Sequence, residues 1–552
     1  MIKSLINGES KTITSAAIIV GVASLASSIL GMLRDRILAG QFGAGDVLDT
    51  YYAAFRVPDL IYNLLVLGAL SAGFIPLFTQ YLQTGDQKNQ KAWQFTNEIL
   101  NVMVICLLVL AAIFYLLAPL VIPLITPGFS ADKMSLVVVL TRIMFLSPLF
   151  LGISSILGGI LQSFRRFVIF SIAPIFYNLG IIIGALFFVK WWGIYGLAIG
   201  VVLGAFMHML VQVPSCKYLG FNYKLIFNFK SEGVRKIMKI MVPRTLTLAI
   251  NQINLVVITI IASTLMVGSL SVFNLANNLQ LFPLGIFGIS FAIAAFPTLS
   301  ALALKEDKKE FIHSFSNTVR QVLFFIIPST ALLLILRAQI VRVILGTGNF
   351  NWANTVFTIN TLAMFSISLF AQALIPLLIR AFYAFHNAMT PFMIGIISAI
   401  ANVFLSLYLS RPFTLFNYSF DLGVAGLALA FSLSSILNFI ILWAALRFKT
   451  ASLDEENIIW AVLKISVATL AMGIVTQFMK FGTEPYFGTA TFLGIFLQGL
   501  IAGLVGIAVF IVVGLALKSQ EMITFANNLK RRIFKEKEVV PQEIINETPG
   551  QG

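Results

Sequence analysis

Charge is what this chain has least of. Only 11% of its 552 residues are Asp, Glu, Lys or Arg, 59% are hydrophobic, and the mean hydropathy is +0.95. Soluble domains carry roughly a quarter charged residues, so a large soluble core is excluded in favour of membrane composition. Cysteine is scarce too: Cys106 and Cys216 sit in or beside apolar segments, without the spacing of a metal site or a disulfide framework. His208, His313 and His386 are isolated, and none stands at a ligand spacing from Asp, Glu or Cys, so no metal and no cofactor is expected. His208, inside an apolar run, reads as a hydrogen-bonded packing residue. Gly43-Ala44-Gly45 is too short for a phosphate loop and no Gly-Lys-Ser/Thr sequence exists, which excludes ATP hydrolysis by this chain. No nucleophile has a base nearby in sequence, so no catalytic residue is expected and the chain is read as a non-enzyme.

What is present is a series of long apolar runs. With about 20 residues per crossing as the ruler, they tile into about fourteen spans. Their limits are 13–33, 51–82, 96–125, 134–161, 167–189, 193–214, 241–267, 270–301, 314–336, 353–378, 390–410, 422–446, 457–479 and 489–517. The first follows a short polar start, Met1 to Lys11, and reads as a retained span instead of a removed signal peptide. An even number puts both termini on one side. The loops on that side hold roughly 24 Lys and Arg against roughly 8 opposite, a positive-inside bias that predicts both termini in the cytoplasm. The basic excess is thus a topology signal, and nucleic acid is not an expected partner.

The chain also repeats itself. Gly193-Ile-Tyr-Gly196-Leu-Ala198 returns 230 positions later as Gly423-Val-Ala-Gly426-Leu-Ala428. Phe74-Ile75-Pro76-Leu77 is answered by Ala295-Phe296-Pro297-Thr298 at an offset of 221, with a weaker match of Tyr52 to Arg56 onto Phe273 to Asn277. Both halves run in the same orientation, which predicts an all-α polytopic protein of two parallel six-helix lobes plus two extra C-terminal helices. The expected divisions are an N-lobe 1–214, a basic amphipathic linker 215–240 on the inner leaflet, a C-lobe 241–450, a terminal pair 451–517 and a polar, disordered tail 518–552.

Against this apolar background stands a knot of charge: Arg34-Asp35-Arg36 at the end of the first span, then Asp49, Arg56 and Asp59. An ionised side chain at mid-membrane costs about 2.5–3.5 kcal/mol on insertion scales, so such groups are paired or used. Arg56 and Asp59, three apart, share a helix face and are placed to neutralise each other in part. The arginine fork matches phosphate oxygens, so a cavity lined by these groups suits an anionic, phosphate-bearing head; structural ion pairing is the alternative. Asp49 also suits a helix cap. Asn251, Gln252, Asn254, Asn274, Asn277, Asn278 and Gln280 make the seventh and eighth spans unusually polar, as glue between helices or as pathway lining. Arg380, near a span edge, suits snorkelling.

In order along the chain, Leu30-Gly31-Met-Leu-Arg34-Asp35, Phe42-Gly43-Ala44-Gly45 with Asp49, Ala54-Phe55-Arg56-Val57-Pro58 and Gly68-Ala69-Leu70-Ser71-Ala72-Gly73-Phe74-Ile75-Pro76 form one string. Ala173-Pro174 with Asn178, Phe282-Pro283-Leu284-Gly285, Arg380-Ala-Phe-Tyr383 with Thr390-Pro391, and Gly426 to Ala430 follow. This string resembles the MurJ (MviN) family of lipid II flippases in the MOP exporter superfamily, over about residues 10–450. The resemblance implies two lobes around a central cavity, a groove for a lipid tail at the last two helices, and translocation of an undecaprenyl-pyrophosphate-linked peptidoglycan precursor across the bacterial inner membrane by alternating access. It implies membrane lipids as partners, with cell-wall synthesis proteins as further candidates. Substrate-contacting residues by this reading are Arg34, Asp35, Asp49, Arg56, Asp59, Asn278 and Arg380. The chain departs from the family pattern where Ser28, Tyr62 and Asn278 replace expected arginines and Asp59 replaces a more usual Asn. Other readings are a polysaccharide-lipid flippase or drug/cation antiporter of the same superfamily, or a non-transporting scaffold for cell-wall enzymes.

Overall fold

The computed structural model describes residues 13–67, 73–83, 89–228, 230–305, 307–415, 418–488 and 491–533. Met1 to Lys11, the stretch Gly68 to Ala72 and the tail beyond residue 533 lie outside the described residues.

The apolar runs fold as helices because each closes its backbone hydrogen bonds internally, the requirement a hydrocarbon solvent imposes. The first lobe holds α1 (Ile13–Phe42), the broken second segment α2 (Asp46–Ala54), α3 (Arg56–Tyr62) and α4 (Ile75–Gln83), then α5 (Gln90–Ile125), α6 (Ala131–Ser163), α7 (Phe167–Trp192) and α8 (Tyr195–Tyr218). The second holds α9 (Glu232–Ser263), α10 (Ser269–Ala303), α11 (Lys309–Ile335), α12 (Arg337–Ile344), α13 (Trp352–Ser366), α14 (Leu369–Ala384), α15 (Met389–Leu409) and α16 (Gly423–Thr450). α17 (Glu455–Phe487), α18 (Phe492–Ala516) and α19 (Gln520–Ile533) complete the described chain. A two-stranded hairpin, β1 (Phe413–Leu415) and β2 (Tyr418–Phe420), links α15 to α16.

Ten described helices are long and apolar enough to cross a membrane, or eleven if α13 and α14, bent by 47° to each other, form one span. The expected fourteen is therefore not reached by this measure. The second expected span is broken into pieces around Arg56-Val57-Pro58, and the apolar part of α9 is confined to Gln252–Ser263.

The internal repeat has a backbone signature. Gly193 and Gly423 both take positive φ, 55° and 49°, the left-handed region that favours glycine. At the next matched pair, a Cβ on Gly196 would lie 2.4 Å from the backbone of Phe188 and Val189, and one on Gly426 would lie 2.0 Å from the Leu409 carbonyl. The second match is as telling. π-helical turns occur at Asn63–Leu67 and Leu284–Ile289, so their first residues are separated by the same 221 positions as Pro76 and Pro297. One continuous buried core runs through both lobes, while a small separate one, including Phe324, Ile465, Met472 and Phe510, joins α17 and α18 to α11.

Two expected divisions change. The linker is not one amphipathic segment. Phe221 to Asn228 is a non-helical strap held by Asn97, which bonds Asn222 O and Lys224 N, and by Asn101, which bonds Lys224 O and Ile226 O. α9 begins at Glu232, capped by the Ser231 hydroxyl. The tail is not disordered from Lys518 onward, since α19 packs on α11 through a buried Arg320–Glu521 pair at 3.3 Å. Both also rest on apolar contacts, Phe221 on Trp93, Met522 in the cluster with α11, α17 and α18, and Phe525 on Phe324 and Phe325.

Candidate functional site

Arg34-Asp35-Arg36 does not end the first helix. α1 continues through Ile37-Leu38-Ala39 to Phe42, so the three charges lie within the helix and face three different partners. Arg34 turns Nε and one terminal nitrogen onto Asp35 Oδ1 at 3.0 and 2.8 Å, and gives the other to Asn178 Oδ1 of α7 at 3.0 Å. The second Asp35 oxygen accepts from Asn278 Nδ2 of α10 at 2.9 Å. A polar chain, Asn178–Arg34–Asp35–Asn278, thus runs from one lobe to the other.

Arg56 makes the same crossing. Its Nε donates to Thr259 Oγ1 of α9 at 2.7 Å and a terminal nitrogen donates to Asn274 Oδ1 of α10 at 2.9 Å. This corrects the pairing expected from spacing: the fork is drawn across to the second lobe instead of back to Asp59. Hydrogen bonds to charged groups contribute about 1.5–3 kcal/mol each, enough to decide that choice. Asp59 lines the same cavity with no salt bridge among the described residues. The cavity measures about 170 Å³ and is walled by Arg34, Asp35, Arg56, Asp59, Asn274 and Asn278, together with Tyr51, Tyr52 and Tyr177.

Asp49 and Arg380 do not join this group. Asp49, buried, accepts from Gly268 N (2.8 Å), Ser271 N (2.9 Å) and Ser271 Oγ (2.7 Å), and receives Lys133 Nζ at 3.3 Å. It is a cap, as its residue type suggested, but of α10 in the other lobe and not of its own helix. The free amides and positive end of a helix N-terminus favour a carboxylate there. Arg380 donates to Pro376 O one turn back on its own helix, at 3.2 Å.

Further lobe-to-lobe contacts surround Asp49 at the face opposite the start of α1. Asn349 donates to Gly40 O and Gln41 O at 2.8 and 2.7 Å, Gly128 N meets Ser263 Oγ at 3.3 Å, and Arg36 reaches Val343 O and the Phe492 ring. Towards the other face the contacts come from α9, where Thr245 Oγ1 donates to Leu64 O at 3.1 Å.

Of the residues that fill the site, Asn178 and Asn274 were visible in polar or proline-containing motifs. Thr259 and Tyr177 gave no signal, because a lone hydroxyl in an apolar run looks like packing. Ser28 carries a local bond, to Ser24 O at 2.9 Å, while Tyr62 meets Ser155 Oγ of α6 at 3.4 Å. His208 shares a buried cluster with Ser154, Nδ1 to Oγ 2.6 Å, and Gln212. A second, chiefly apolar cavity of about 640 Å³ lies between α11, α14, α16 and α17, with Leu323, Phe370, Trp443 and Val462 in its walls. α18 is not among those walls.

A family model described as lipid II flippase MurJ matches residues 38–498. A probable lipid II flippase MurJ of Rhizobium tropici is 29% identical over 528 residues, covering 93% of this chain and 96% of its own. One from Buchnera aphidicola of Acyrthosiphon pisum is 30% identical over 427 residues, covering 77% and 81%. A solved lipid II flippase MurJ in an inward closed conformation superposes with a TM-score of 0.72 at 24% identity, over 94% of this chain and 100% of that one. An inward-facing multidrug MATE transporter of the MOP superfamily gives 0.65 at 14% identity, over 78% and 96%. At these identities the two superpositions show a shared fold, whereas the family match spans most of the sequence: the chain belongs to the lipid II flippase MurJ family.

Proposed function

We propose that this protein flips lipid II, the undecaprenyl-pyrophosphate-linked peptidoglycan precursor, across the bacterial inner membrane by alternating access of its two lobes. The match to the lipid II flippase family over residues 38–498 carries the reading. The chain is a transporter and not an enzyme, a multi-pass protein of the bacterial inner membrane whose partners are a lipid-linked precursor and the surrounding lipids. Both termini lie in the cytoplasm on the evidence of the basic loops, and cell-wall synthesis proteins are its further partners.

In this mechanism Arg34 and Arg56 exchange their amide and hydroxyl partners for pyrophosphate oxygens when the lobes part on the cytoplasmic side. Asp35 and Asn278 orient Arg34, and Asp59 forms the adjoining wall. Arg380, at the cytoplasmic end of α14, meets the head group on the way in. Asp49 holds the outer side shut by capping α10, and releasing it lets the head group out. The undecaprenyl chain lies along the apolar groove that α17, of the division 451–517, forms with α11, α14 and α16. Moving about two negative charges outward against an inside-negative potential is favourable by roughly 2.3 kcal/mol per charge per 100 mV, sufficient to drive the cycle in principle.

Complementation tests this. In bacteria depleted of their own lipid II flippase, the parent chain restores growth, while Arg34→Ala and Arg56→Ala, present at parental membrane levels, do not. Failure of the well-expressed parent would move the assignment to another lipid-linked sugar. Full rescue by both variants would favour a scaffold.

A further inference from the structure

The cavity's charges balance before any substrate arrives. Arg34 is neutralised by Asp35 at 2.8 Å, and Arg56 faces the neutral Thr259 and Asn274. Asp59 makes no salt bridge among the described residues and looks into the same space. Two positive and two negative groups sum to zero, a poor host for a pyrophosphate.

Among the described residues, the groups around Asp59 offer it no further cation. α1 brings Arg34 and Asp35, its own segment brings Tyr51, Tyr52, Arg56 and Tyr62, and α7 brings Tyr177. α9 and α10 supply Thr259, Asn274 and Asn278, none of them charged. Arg56 is the nearest positive group in sequence, and in the mechanism above it turns, with Arg34, to the incoming phosphate. An ionised Asp59 would then stand beside the anion with nothing between them. Like charges in a confined, poorly solvated site repel strongly, and the least disruptive relief is to neutralise the carboxylate.

We infer that Asp59 takes up one proton from solvent as the anionic head group binds and gives it back when the head group leaves. The proton joins a carboxylate oxygen, no other bond changes, and the occupied cavity carries a net charge of plus one before the ligand's own charge is counted. The inference rests on the pyrophosphate-binding reading above. By linkage, proton uptake and ligand binding strengthen each other by the same factor, so head-group affinity falls as pH rises. It also removes about one unit from the negative charge that the membrane potential acts on in each cycle.

The test is lipid II binding to the full-length protein in nanodiscs at constant sodium, between about pH 5.5 and 8.5, with Asp59→Asn alongside to cancel the ligand's own ionisation. Expected is a wild-type affinity that falls, relative to Asp59→Asn, by up to about tenfold per pH unit over part of that range. Asp59→Glu, which keeps the carboxylate, retains the slope and guards against a variant that merely folds badly. Equal slopes in wild type and Asp59→Asn would overturn the inference and leave the lipid II reading standing. So would an Asp59-dependent affinity that follows sodium at fixed pH. A parent that binds no lipid II at any pH would sink both.

Discussion

The first lobe contributes every charged side chain of the central cavity, Arg34, Asp35, Arg56 and Asp59, whereas the second faces it with Asn274 and Asn278. Yet the two share a backbone plan, down to π-helical turns 221 residues apart and matched glycines of positive φ. The asymmetry extends to the closed face around Asp49. Asp49 and Arg36 of the first lobe meet backbone amides, a hydroxyl and a carbonyl of the second, while Lys133, the partner of Asp49, belongs to the first. Among the described residues no salt bridge joins the two lobes. No described ion pair bridges the two lobes, and charges meet neutral groups across the gap. Splitting a buried ion pair costs about 3–5 kcal/mol, whereas parting a charge from a neutral partner that water or phosphate can replace costs far less. Lobes built this way can rock apart without stranding a charge.

The most severe way to break that division is to put a charge where the second lobe has an amide. Asn274→Asp sets a carboxylate opposite Arg56, whose nitrogen already lies 2.9 Å from that side chain. The expected outcome is a protein locked closed, with lipid II flipping in proteoliposomes slowed about a hundredfold or more by a cross-lobe pair of about 3–5 kcal/mol. Thermal stability in detergent should rise. Unimpaired flipping would show that the lobes tolerate an ion pair between them.

A milder change acts on the outer face. Asp49→Asn keeps an acceptor for the α10 amides but removes the charge that helix N-terminus favours, weakening closure by about 2 kcal/mol, close to thirtyfold in the open population. Alkylation from outside the cell reads this directly. With Cys106 and Cys216 replaced, a cysteine introduced at the buried Ser269 should react faster when Asp49→Asn is present. An unchanged rate would mean that the Asn349 and Gly128 contacts hold the face shut without Asp49.

How far the sequence reveals this depends on the range of the interactions. The order of helices, the parallel repeat and the fact that the first two segments hold the charge all follow from hydropathy and spacing. The repeat is legible because Gly193 and Gly423 take a positive φ and Gly196 and Gly426 face backbone where a Cβ would clash, constraints that leave their mark in one dimension. The partners of each charge do not follow. Arg56 and Asp59 are well placed for each other on a helix, and only the position of α9 and α10 shows that Thr259 and Asn274 win. Asp49 was legible as a cap but not as a cap 219 residues away. The strap at Phe221 to Asn228 and helix α19 were hidden because their partners, Asn97, Asn101 and Trp93 for the strap and Arg320, Phe324 and Phe325 for α19, stand far off in sequence.

The finest test of the comparison lies at the repeat position of Arg56. The offset of 221 places Asn277 there, and Asn277 accepts from Gln280 Nε2 at 2.9 Å on its own helix instead of reaching into the first lobe. If the repeat shares backbone but not chemistry, Asn277→Ala removes one local hydrogen bond, worth about 0.5–1.5 kcal/mol of stability, and leaves flipping near the parental rate. Arg56→Ala, at the same structural position in the other lobe, abolishes rescue. The two variants sit at corresponding positions of the repeat, on α3 and α10, so their contrast isolates charge from place. A loss of flipping in Asn277→Ala comparable to that of Arg56→Ala, at equal membrane levels, would mean that position within the repeat governs function, and the assignment of the chemistry to one lobe would fall.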